Sequence, residues 1–165
     1  MSNRRYDYDI LPEVQNRWSP RAFSPEKVPM PDILAVLEAA RYAPSCYNEQ
    51  PWRFIVARDD ASLEQMGDLL TPKNYVWAVN APVLIMVLAK RYFSLNGEEN
   101  YWRMFDTGTA WGYLSLEAQT RGYVTHAMGG FDIEKARKAY NLEEDIDPMV
   151  IVALGKYGDP DGLPD

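Results

Sequence analysis

The sequence is poor in residues that hold metals or attack substrates: among 165 residues there is one cysteine, Cys46, and one histidine, His126. A lone cysteine excludes a disulfide framework within the chain, and a lone histidine leaves no zinc-type ligand cluster. Nothing in the sequence brings Cys46 and His126 together as nucleophile and base, so cysteine nucleophile chemistry is disfavoured too. Long apolar runs are also missing. No stretch approaches the roughly 18 uncharged apolar residues of a membrane span, and the opening MSNRRYDYDI has two arginines with no apolar segment behind them, which reads as a cytoplasmic protein. Positive charge is in deficit. A net charge of -7 argues against a surface built for nucleic acid phosphates or anionic lipid, leaving small molecules and protein as partners. No G-x-G-x-x-G follows a strand pattern and no G-x-x-x-x-G-K-[ST] occurs, so the usual dinucleotide and P-loop readings find no support.

What is present is a globular composition, with 47% hydrophobic and 13% aromatic residues, and 12 prolines that imply many ordered loops. The length suits one domain over 1–165. PDILAVLEAARYA at 31–43 has helical spacing, RFIVAR at 53–58 reads as a strand, and DASLEQMGDLL at 60–70 reads as a helix capped by Asp60 or Ser62. Val83 to Ala89 is uninterrupted apolar sequence, the pattern of a strand covered on both faces. Residues 99–121 read as a long helix, apolar on nearly all sides and carrying Gly108, Ala110, Gly112 and Ser115. A monomer of this size has little room to bury such a helix, so a homodimer with a long central interface helix is expected. A strand at 123–128, a helix from Asp132 to about Tyr140 and a strand at 149–155 follow. Strands and helices mix without strict alternation, which places the chain in the α+β class, with a mixed, mostly antiparallel sheet flanked by helices.

Four stretches are rich in groups that could bind a ligand. In RWSPRAFSPEKV, Arg17, Ser19 and Arg21 occupy alternate positions of a proline-restrained segment, so the three side chains can point one way, as a comb for a phosphate or carboxylate. Solvated arginines near a terminus would look the same. APSCYNEQPW at 43–52 packs donors and acceptors between prolines and reads either as a plain turn or as a ligand loop. Asn74 in PKNYVW could meet a heterocycle edge or hold its own turn. In MGGFD, Gly129 and Gly130 would let backbone N–H groups approach a flat ligand, or simply make the strand-to-helix turn. His126 reads as a core or surface histidine at least as readily as a catalytic one.

Taken in order, RWSPRAF, LEAARYAPSCYNEQPWRFIV, KNYVWAVNAPVLIMV, MGGFD before a helix, and VIVALGKYG resemble the FMN-dependent nitroreductase family over about residues 14 to 157. The resemblance implies a nitroreductase-like α+β fold and an obligate homodimer with FMN held at the interface by both subunits. It assigns Arg17, Ser19 and Arg21 to the phosphate, ribityl chain and pyrimidine edge. It gives Pro44, Ser45, Cys46 and Asn48 to the loop that reaches the FMN of the partner, and Asn74 to the polar edge of the isoalloxazine. Gly129 and Gly130 would bring backbone N–H to flavin N5, and Lys156 is the cation available beyond the last strand for the phosphate. The implied activity is transfer of hydride from NADH or NADPH through flavin N5 to a nitroaromatic, quinone or similar electron-poor acceptor by a ping-pong mechanism. No protein side chain need act covalently, because the chemistry belongs to the cofactor. Dehalogenation, flavin cleavage and non-catalytic flavin binding are the alternatives.

Overall fold

The chain is organised around β2, Val83–Lys90, whose side chains from Val83 to Ala89 are all buried, as its unbroken apolar sequence requires. The structure is a computed structural model and describes residues 4–163. Alternate side chains of a strand point to opposite faces. Accordingly, Leu84, Met86 and Leu88 enter one core with Met66, Trp77 and Ala136, while Val83, Ile85 and Val87 enter another with Ile33, Val36, Ala110 and Leu114. The sheet is therefore the middle of three layers. Its order is β1 (Trp52–Ala57), β2, β4 (Ile146–Gly155), β3 (Val124–Met128), and every pairing is antiparallel. This leaves β3 as an edge strand.

The helices of the first layer are α3 (Asp60–Gly67), α4 (Pro72–Ala78) and α6 (Ile133–Ala139); α2 (Met30–Arg41) and α5 (Arg103–Thr120) form the other. A short α1, Pro12–Asn16, precedes them. The cap of α3 is Asp59, not Asp60 or Ser62: its carboxylate accepts from Ser62 N–H while Ser62 Oγ returns to the cap, a reciprocal capping box. The helix then ends at Gly67, short of the expected residue 70, because Leu70 pairs with Phe131 instead. The strand expected from residue 149 begins earlier, at Ile146, with Pro148 accommodated where the register against β2 shifts between Val87 and Leu88.

PKNYVWA, to which the sequence reading assigns no element, forms α4, with Pro72 in the first turn, where its missing N–H has no intrahelical role. The long helix starts at Arg103 and not near 99, since Glu99 pairs with Tyr92 and the buried Asn100 accepts the N–H of Trp102 through Oδ1. Nor is α5 covered on nearly all sides. Asp106, Thr107, Ala110, Leu114, Ser115 and Ala118 are buried, whereas Met104, Phe105 and Tyr113 are exposed at 55%, 75% and 43%.

Candidate active site

The N-terminal comb is held against the end of β4. Arg17 closes α1, its N–H bonding to Glu13 O at 2.9 Å, and its Nη1 donates to Ser19 Oγ at 3.3 Å. Ser24 N–H donates to Lys156 O at 2.9 Å and Gly158 N–H to Ala22 O at 3.1 Å, with Phe23 and Tyr157 bridged between them. Glycine is required at 158: a Cβ there would lie 2.5 Å from the backbone of Phe23. This pairing places Lys156 beside the comb. Lys156 Nζ is met by Glu26 at 2.6 Å in an exposed ion pair. Five arginines, Arg41, Arg91, Arg103, Arg121 and Arg137, have carboxylate partners. Among the described residues Arg17 and Arg21 have none, like Arg4, Arg5, Arg53 and Arg58, although acids outnumber bases 24 to 17. Burial and then the charge of Arg4 lower Arg17 from its ordinary value, the mark of a cation without a counter-ion.

The glycine turn is fixed by α4. Asn74 Nδ2 and Thr71 N–H both donate to Gly130 O at 3.0 Å, so Asn74 ties two elements together and does not hold its own turn. A Cβ on Gly130 would sit 2.7 Å from Asn74 Nδ2, whereas a Cβ on Gly129 would meet nothing within 4 Å. The two glycines thus differ: close packing by the chain itself explains Gly130, and open space lies at Gly129. Among the described residues neither glycine N–H donates to a backbone acceptor outside the regular elements, and Asn74 Oδ1 accepts nothing.

His126, on β3, joins these two parts. Its Nδ1 is 2.9 Å from Pro20 O, inside the comb, and its ring lies 4.6 Å from that of Trp77, one turn along α4 from Asn74. Trp77 and Thr71 were not singled out by sequence. The signal was the spacing of Thr71, Asn74 and Trp77, which becomes readable only once PKNYVWA is known to be helical.

The loop containing Pro44, Ser45, Cys46 and Asn48 lies elsewhere. Cys46 N–H donates to Asp106 Oδ2 on α5 at 3.0 Å, Ser45 Oγ accepts Gln50 N–H at 3.0 Å, and Glu49 accepts from Ser94. Tyr47, Asn48 and Gln50 adopt left-handed backbone, with φ of 52°, 57° and 52°. Asparagine tolerates this conformation; tyrosine and glutamine do so at a cost that the surrounding hydrogen bonds offset. Among the described residues, no hydrogen bond of this loop reaches the comb, α4 or the glycine turn. Hydrogen bonds and packing thus link the segment of Arg17, Ser19 and Arg21 to Lys156 and, through His126 and Trp77, to the helix that fixes Gly130, whereas the loop of Pro44 to Asn48 is bonded to α5 and Ser94.

A central antiparallel sheet of order β1-β2-β4-β3, covered by helices on both faces, makes this an α+β protein of three layers. The chain belongs to the nitroreductase family, whose sequence pattern matches residues 14–75 and 69–156. It is 28% identical to an NADH dehydrogenase of Thermus thermophilus, over 94% of this chain and 90% of that protein. It is 26% identical to an iodotyrosine deiodinase of Thermotoga neapolitana, over 93% and 89%. A solved structure described as an oxidoreductase containing FMN matches with a TM-score of 0.94 and 34% identity, covering 99% of this chain and 84% of that one.

Proposed function

We propose that this chain is an FMN-dependent NAD(P)H oxidoreductase, one domain over 1–165, that works as a cytoplasmic homodimer. FMN fits the residues present. Its phosphate calls for cations without partners, which Arg17 and Arg21 are; its flat polar ring calls for N–H donors beside open space, which Gly129 and Gly130 offer. When bound, FMN supplies electron transfer from NADH or NADPH to a nitroaromatic, quinone or similar electron-poor acceptor by a ping-pong sequence.

The chain's own part is binding and orientation. Arg17, Arg21 and Lys156 hold the anionic end, with Ser19 adding a hydroxyl. Glu26 must release Lys156 for this, a small cost for an exposed pair. At the other end, Asn74 uses Nδ2 to fix Gly130 and keeps Oδ1 for a ring N–H, while Gly129 leaves its side free of any side chain. Pro44, Ser45, Cys46 and Asn48 serve the site of a second copy, consistent with their separation from the cradle of their own protomer. That copy would pack on the exposed stripe of α5, where Met104, Phe105, Gly108 and Gly112 share one face at helical spacing.

The observation that carries this reading is that Arg17 and Arg21, both without a carboxylate partner, lie on the segment whose Pro20 O meets His126, while the His126 ring packs on Trp77 of α4, the helix that fixes Gly130. Initial rates at several fixed acceptor concentrations test the mechanism: parallel double-reciprocal lines are expected with a quinone, and intersecting lines would contradict the ping-pong order. A second reading, reductive dehalogenation, is favoured by the likeness to the deiodinase. Release of iodide from iodotyrosine by the reduced protein would support it.

A further inference from the structure

His126 is the only histidine of the chain, and the flavin reading above gives it no role at the ligand. The segment bearing Arg17, Ser19 and Arg21 is held along its length: Arg4 Nη1 donates to Arg17 O at 2.8 Å, the Trp18 ring lies 5.3 Å from that of Tyr157, and Phe23 stacks on Trp77 at 6.2 Å. At one end Arg17 N–H bonds to Glu13 O; at the other Ala22 and Ser24 bond to Gly158 and Lys156. Between them the hydrogen bond is that of Pro20 O, 2.9 Å from His126 Nδ1. A carbonyl can only accept, so Nδ1 carries the proton. Burial lowers the pKa of the half-buried imidazole, its bond to Pro20 O opposes this, and the charge of Arg21 lowers it further, leaving the ring neutral near pH 7. The same ring lies against Trp77, whose helix supplies Asn74 to Gly130. It touches both halves of the cradle at once.

We infer that His126 is a positioning residue: its Nδ1–H bond to Pro20 O sets the arginine comb against α4 and the glycine turn, so that cations and ring donors stand at the spacing one ligand needs. The inference rests on the FMN reading for its binding readout, and on the imidazole alone for its structural one. In untagged protein labelled with 15N-histidine, the single imidazole gives an unambiguous spectrum. Protonated Nδ1 with bare Nε2 is expected, and the opposite tautomer would overturn the bond. FMN titration of variants reads the consequence. His126→Leu is expected to bind FMN about tenfold more weakly, and His126→Asn, whose amide can donate to the same carbonyl, to recover to within about threefold of wild type. Unchanged affinity in His126→Leu would overturn the inference. So would His126→Asn binding as weakly as His126→Leu, which would put the role in packing on Trp77. If His126→Leu does not fold, His126→Asn and the tautomer decide. Wild-type protein that binds no FMN would overturn the flavin reading instead, leaving the tautomer to decide the bond to Pro20.

Discussion

Arg17 and Arg21 have no carboxylate partner among the described residues and lie on the segment assigned above to the anionic end of the ligand. Arg17→Ala and Arg21→Ala should each weaken FMN binding by about 1 to 3 kcal/mol, the range for charge-assisted hydrogen bonds. Fluorescence titration checks this, and unchanged affinity in both would remove the comb from the site. The two glycines should separate. Gly130→Ala forces a methyl to 2.7 Å from Asn74 Nδ2 and should lower stability by about 1 to 3 kcal/mol in urea unfolding, as overpacking does. Gly129→Val meets open space in the protomer, so it should fold normally yet load less flavin. Local chemistry alone makes Arg17, Ser19, Arg21 and the paired glycines candidates in the sequence. The partners of His126 and Asn74 are not legible there, since Pro20 and Gly130 lie 106 and 56 residues away along the chain.

Among the elements, β2 was the most legible, because a strand buried on both faces must be apolar without interruption. Helix α4 was the least. It has seven residues, no side-chain cap and two aromatic residues, so its identity comes from packing Trp77 and Ala78 into the core beneath it. The ends of β2, β4, α5 and α6 are tied by Asp147, which receives Arg91, Arg103 and Arg137. Burial alone would raise its carboxyl, but hydrogen bonds from Arg91 and Arg103, with their charges, outweigh this and hold it below the ordinary 3.8. A carboxyl depressed in the folded state adds stability that is fully present above its unfolded value and is lost as pH falls through the folded one. Asp147→Asn should therefore cost about 3 kcal/mol at pH 7, by leaving three arginines without their shared partner, and should flatten the loss of stability below pH 4. Urea unfolding across pH checks both; a variant as acid-sensitive as wild type would contradict the assignment.

Over the whole molecule two features stand uncovered: the stripe of α5 bearing Met104 and Phe105, and the loop bearing the exposed Tyr47. A second copy would cover the first and receive the second. Light scattering should give twice the chain mass, and Phe105→Glu, which puts a charge on the stripe, should yield monomer that loses FMN. The small and apolar residues of α5 raise the expectation of a subunit contact from sequence alone, but which positions meet the chain's own core is not legible there, because periodicity cannot distinguish a core neighbour from a partner subunit. If FMN and a nicotinamide meet in this protein, the visible absorption spectrum reports it. Purified protein supplied with FMN, freed of excess and kept anaerobic, should show bound flavin that bleaches on addition of NADH or NADPH. Flavin that is not retained, or that is retained and stays yellow with both nucleotides, would contradict the account.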